Sequence, residues 1–344
     1  MANTHLIDLI YPQSKIVSIV GTSKNAGKTV TLNEIISQAQ AKGIRLGLVS
    51  TGRDGERKDV LTETEKPPIY VSRGTILTMV ESAIKGEHAG IEIFRVTDYN
   101  TPLGRVILGR ATKDGYVEIS GPRSSATIKE MCIEMQGLGA ELILIDGSLD
   151  RRSSAAPYVS DGTVLATGAA LARNINGVVE KTMHLINTYS VPMIEEEYVR
   201  DIAYNAIDMG KTAVIAQDGS VDYPDTVTSL QSGDIISEYL TEDTAYIVLS
   251  GSATVGTIKD ILLNRKSDIK IIVRDSTRIF VPATEFNILQ RMGMELRVVE
   301  NINIIAVTVN PYSPEGYYFE PSELLNTMRN AVSNIPVFDV VQGE

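Results

Sequence analysis

IVSIVGTSKNAGKTVTLNEII, residues 16–36, decides how this chain is read. Residues 16–20 are short, apolar and rich in β-branched side chains, and Gly21 stops the run, which predicts a buried strand. After the loop, Val30, Leu32, Ile35, Ile36 and Ala39 recur at helical spacing, and Gly43 supplies a stop. A loop between such a strand and helix aims backbone N–H groups and the helix N-terminus at one point, where negative charge is favoured. Lys28 adds a full positive charge, and Thr29 offers a hydroxyl to Mg²⁺. The expected nucleotide contacts are therefore Gly21, Thr22, Lys24, Asn25, Ala26, Gly27, Lys28, Thr29 and Val30.

The spacing departs from the common GxxxxGKT, which would put glycine at Thr22; here the glycine is Gly21, and the loop fits GTxxxxGKT. In this it resembles the P-loop branch of dethiobiotin synthetase and the cobyrinic acid amidases. Some P-loop dimers carry a loop lysine that reaches the partner's nucleotide, five residues before the GKT lysine. Lys24 stands only four before Lys28, and is read as a surface lysine near the phosphates.

A loop of this kind needs a metal-binding acid on a neighbouring strand. In LILIDGSLDRRS, residues 142–153, an apolar run delivers Asp146 to its carboxyl end, where the carboxylate reaches Mg²⁺ directly or through water. The second predicted strand, residues 44–49, runs into VSTGRDGERKD; Asp54 there is expected to orient metal or attacking water, with Arg53 and Arg57 beside it. A solvated charged loop is the alternative for that segment. Lys28 and Asp54 are the candidate catalytic groups; Thr29, Asp54 and Asp146 are the candidate metal ligands.

Strand and helix alternate along the chain. Further strands are expected near residues 91–96, 105–108, 116–119, 141–145 and 164–167, and helices over 75–85, 127–138 and 178–189. This alternation predicts an α/β fold, a mostly parallel sheet covered by helices, with ligand loops at the carboxyl ends of the strands. Residues 192–242 read as less regular, with the acidic cluster Glu195, Glu196 and Glu197; a second α/β series follows, from 245–249 to 302–309. A boundary near residue 212 then separates a nucleotide-binding domain, 1–211, from a smaller α/β domain, 212–344, that would dock a partner.

Composition bounds the function. A chain of 344 residues, 43% hydrophobic and 22% charged, is ordinary for a globular protein of two domains. A net charge of −11 argues against a duplex-binding surface, which needs clustered Lys and Arg. The one cysteine, Cys132, shares an apolar helical stripe with Ile128, Met131 and Met135 and reads as core. No run of 18 apolar residues occurs and the N-terminus lacks a leader pattern, so no membrane association and a cytoplasmic location are expected. His5, His88 and His184 show no metal-ligand spacing, and the cobalamin signature DxHxxG is absent. In SGPRSSA, residues 120–126, Ser124 or Ser125 is expected to cap the following helix. Arg151 and Arg152 are read as solvated charge, or as groups that meet an acidic partner or close on a γ-phosphate.

The blocks GTSKNAGKTVTLN, STGRDGE, KPPIYV, DGYVEISGP, LILIDGSLDRRS, ATGAALAR and VVEKT, taken in order, resemble the ATPase subunit of the reactivase for adenosylcobalamin-dependent lysine 5,6-aminomutase, related to proteins encoded beside ornithine 4,5-aminomutase. The resemblance covers about residues 15–190. It implies ATP and Mg²⁺ as cofactors, hydrolysis that releases damaged cobalamin from the mutase, and a second, MutS-related subunit as partner; a homo-oligomer is compatible with it. By the same match Gly27, Lys28 and Thr29 bind phosphate and Mg²⁺, and Asp146 the metal. Two other readings stand beside it. One is an ATP-dependent ligase or amidase in which Arg53, Arg73 and Arg123 hold a small carboxylic acid; the other is a nucleotide-gated assembly factor. No guanine-reading NKxD segment is evident, which leans toward adenine.

Overall fold

The computed structural model describes residues 5–51, 69–86, 88–147, 152–225 and 232–342. Two compact units form: residues 1–183 with 303–344, and residues 184–302. In chain order the first unit begins with α1 (Leu6–Ile10), β1 (Ile16–Gly21), α2 (Lys28–Ala41), β2 (Leu46–Ser50), β3 (Ile69–Val71) and β4 (Ile76–Val80). It continues through β5 (Ile91–Thr101), β6 (Gly104–Ala111), β7 (Gly115–Val117), α3 (Ser125–Gly137), β8 (Leu142–Asp146) and β9 (Gly162–Gly168). The chain passes into the second unit within α4 (Ile175–Tyr189).

The second unit holds α5 (Glu197–Asp208), β10 (Ala213–Ala216), β11 (Val221–Asp222), α6 (Ser232–Glu238), β12 (Thr244–Leu249), β13 (Ala253–Thr254) and α7 (Val255–Asn264). After these come β14 (Lys270–Val273), β15 (Ile279–Phe280), α8 (Ala283–Arg291) and β16 (Glu295–Val298). Its sheet runs β11-β10-β12-β14-β16, parallel from β12 to β16 and antiparallel at β10 and β11. The chain then returns to the first unit as β17 (Ile304–Asn310), α9 (Pro321–Ala331) and β18 (Val337–Asp339).

The main sheet has nine strands in the order β18-β17-β9-β1-β8-β2-β4-β6-β5. It is parallel from β18 to β4, and β6 and β5 close it as an antiparallel hairpin. Strand alternation sends successive side chains to opposite faces. Val17, Ile19, Leu48, Leu142 and Leu144 pack with Leu32, Ile35 and Ile36 of α2, while Ile16, Val49, Ile143 and Ile145 pack with Ile128, Cys132 and Met135 of α3. Both faces are thereby buried, which is why these strands read as continuous apolar runs.

Three expectations are corrected. Residues 75–85 are not a helix: 76–80 form β4, and Glu81–Gly86 a 3₁₀ turn. A run such as ILTMV, with all five residues buried, satisfies either periodicity, and here both faces are covered. Residues 197–208 are helical rather than irregular; their buried stripe is Val199, Ala203 and Ala206, which keep clear helical spacing just beyond the acidic cluster Glu195, Glu196 and Glu197. The expected boundary near 212 coincides with neither crossing between the units. Residues 304–310 look like one more strand of a second series, yet Val307 lies opposite Leu165 of β9 in the first sheet. Among the described residues, no helix is long and apolar enough to cross a membrane.

Two outcomes follow from the core. Leu144→Ala, at a fully buried position of β8, should cost about 2–5 kcal/mol in chemical denaturation, while Ile133→Ala, 56% exposed, should change stability little. Burial pushes the Cys132 thiol up to about 12, so a thiol reagent at pH 8 should leave native protein unlabelled and titrate one thiol after unfolding.

Candidate functional site at the carboxyl ends of the central strands

β1 lies between two parallel neighbours, β8 and β9, so three strands deliver their carboxyl ends side by side. Register places Gly21 opposite Ala166 and Ile19 opposite Asp146. The loop after β1 is tied at its start: the Thr22 amide donates to Ala166 O at 2.9 Å and the Thr22 hydroxyl to Thr167 Oγ1 at 3.0 Å. Thr167 in turn shares a hydrogen bond of 2.7 Å with Thr182, whose hydroxyl donates to Val178 O within α4.

Two left-handed residues bring the backbone round, Asn25 at φ 60° and Gly27 at φ 100°. Gly27 has a second reason to be glycine, because a Cβ there would stand 2.8 Å from Cβ of Asn310, at the end of β17. α2 then starts at Lys28, with the Thr31 amide donating to Gly27 O at 2.9 Å. No acidic residue occupies its first turn, so the positive end of its dipole is not offset there.

Lys28 folds back across the start of the loop. Its Nζ donates to Ser23 O at 3.4 Å, and a Cβ on Gly21 would lie 2.9 Å from both Cγ and Nζ of the lysine. The ammonium thus occupies the space that the missing side chain leaves open. Beneath it the Ser23 hydroxyl is buried with no hydrogen-bond partner among the described residues. Lys24 stands exposed at the loop tip, Ala26 is buried, and Thr29 and Val30 are half-buried in the first turn of α2.

Asp146 closes β8 beside β1, half-buried, at the level of Ser50 on its other side. Its main-chain carbonyl accepts from the Thr51 amide at 3.0 Å, and the next amide, Gly147, donates to Ile19 O at 3.1 Å. A Cβ on Gly147 would come within 3.0 Å of that same Ile19 carbonyl, so the glycine keeps the end of β8 close against β1. Among the described residues, no group of three or more His, Cys, Asp or Glu side chains is placed to hold a metal ion.

The structure brings residues 21–30 and Asp146 to one edge of the sheet. Asp54, with Arg53, Arg57 and Arg151, lies outside the described residues. Ser124 occupies the N-cap position of α3 but makes no side-chain capping bond, contrary to expectation. Of the arginines offered for a carboxylic acid, the two that are described are not gathered: Arg123 precedes α3, where Gly121 abuts the carboxyl end of β2, whereas Arg73 precedes the amino end of β4. Sequence reasoning missed Asn310 and Thr167. The signal for both was a polar residue closing an apolar strand, the same cue that singled out Asp146. No family model, curated protein or solved structure matches the chain.

Proposed function

We propose that the chain binds and hydrolyses Mg²⁺-ATP at the loop between β1 and α2. The observation that carries this reading is Lys28, whose ammonium lies over Gly21 within the turn that also holds the orphaned Ser23 hydroxyl. Phosphate fits those groups. It would draw the flexible lysine off Ser23 O and accept from loop amides at the positive end of α2. A unit charge pair at 4 Å contributes about 4 kcal/mol at an effective dielectric near 20, against about 1 kcal/mol net for one neutral hydrogen bond. Lys28 therefore outweighs any single loop amide. Mg²⁺, when bound, would neutralise triphosphate charge, and the Thr29 hydroxyl and Asp146 carboxylate are the groups that would hold it, with phosphate and water oxygens completing its shell. Lys28 and the loop amides would stabilise the charge that develops as phosphate is transferred to water.

The same proposal extends to what hydrolysis serves. The ordered blocks between residues 15 and 190 support a reactivation factor for an adenosylcobalamin-dependent aminomutase, acting with a MutS-related subunit to release damaged cofactor. Physically, the nucleotide states before and after hydrolysis differ by one phosphate contact at Lys28. A loop that favours different arrangements in the two states would convert that difference into work on a partner. The ligase reading is weakened because two of its arginines, Arg73 and Arg123, stand at opposite ends of the strands.

Lys28→Ala should weaken ATP binding by about 100-fold or more, and Gly21→Ala, which evicts the lysine from its seat, by about tenfold with folding intact; titration of a fluorescent ATP analogue measures both. Steady-state ATPase assays should show stimulation by the mutase carrying an inactivated cobalamin and none by small carboxylic acids. Turnover of Lys28→Ala at the unmutated rate, or turnover that depends on a carboxylic acid, would contradict the proposal.

A further inference from the structure

The edge of the main sheet away from the loop, where β2 and β4 begin, holds a cavity of about 730 Å³. That volume lies in the range of small-molecule sites, and it is separate from the edge at which parallel α/β sheets ordinarily bind and at which Lys28 lies. Its charged lining is Arg45, Arg73, Arg110 and Glu92, three cations to one anion in a chain of net charge −11. The three arginines come from separate segments, before β2, before β4 and at the end of β6. Arg45 Nε lies 3.3 Å from Glu141, and the Arg110 guanidinium sits 4.7 Å over the ring of Phe94. The Arg73 backbone N–H donates a hydrogen bond of 2.7 Å to Asp114 Oδ1, while its guanidinium has no hydrogen bond or ion pair among the described residues.

Helix ends would ordinarily make such a place unfavourable for an anion, since α2 and α3 both finish on it, at Gly43 and Gly139. Most of their last-turn carbonyls are already engaged. Ile44 N donates to Ala39 O and Gly43 N to Gln40 O; Ala140 N donates to Met135 O and Gly139 N to Gln136 O. The guanidinium groups are left as the strong charged donors, above walls that include Leu46 and Ile76.

We propose that this cavity binds a small organic polyanion, with two or more phosphate or carboxylate groups on a compact body, independently of the loop at Lys28. Isothermal titration of the full chain bearing Lys28→Ala, with pyrophosphate and with citrate as probes, removes the loop's contribution. One binding event per chain is expected for at least one probe, and whichever binds more tightly identifies the preferred group. Arg73→Gln with Arg110→Gln should weaken it by about tenfold or more, and Arg73→Lys with Arg110→Lys should recover part of the loss. Arg73→Gln alone, at an exposed position, gives the same reading should the double variant fold poorly. Absence of binding by both probes, or binding that the glutamine variants leave unchanged, would overturn the proposal.

Discussion

The seat of the Lys28 ammonium over Gly21 is the contact on which the local structure depends. A cation held against main chain at the end of a fully buried strand needs space, which an absent Cβ supplies, and an acceptor, which Ser23 O supplies. The same loop has Gly27 pressed against Asn310, so the turn is fixed from below by β1 and from the side by β17. The positive charge is thus placed by glycines at both ends of the loop, and pairing of β1 on both edges keeps its base rigid.

That rigidity explains how distant parts of the chain reach one edge. Asp146, about 120 residues beyond the loop, is brought beside it by the parallel pairing of β8 with β1. Asn310, more distant still in sequence, arrives through β9 and β17. The hydroxyl chain Thr22, Thr167 and Thr182 ties the loop to α4. These bonds fix the start of the loop relative to α4.

Much of this was legible in residues 16–36 and 142–147, because a β-branched run broken by glycine and followed by helical periodicity admits few arrangements. The parallel sheet and the meeting of the loop with Asp146 both came from that pattern. What escaped had physical causes. The run at 76–80 is buried at every position, Thr78 included, and fits a helix or a strand, so only burial on both faces reveals a strand. The amphipathic stripe of α5, Val199, Ala203 and Ala206, was passed over behind the acidic cluster at its start, and the strand at 304–310 looks the same whichever sheet receives it. Asn310 was overlooked because its local cue, a polar residue closing an apolar strand, does not tell that it packs on Gly27, 283 positions away.

The central claim is that the turn from residue 22 to 27, with Lys28, grips a triphosphate. Amide hydrogen exchange of the wild-type chain, with and without Mg²⁺ and a nonhydrolysable ATP analogue, tests it at the residues concerned. Slowed exchange concentrated over residues 22–31 is the expected result. Identical exchange there in both samples at saturating nucleotide would contradict the account.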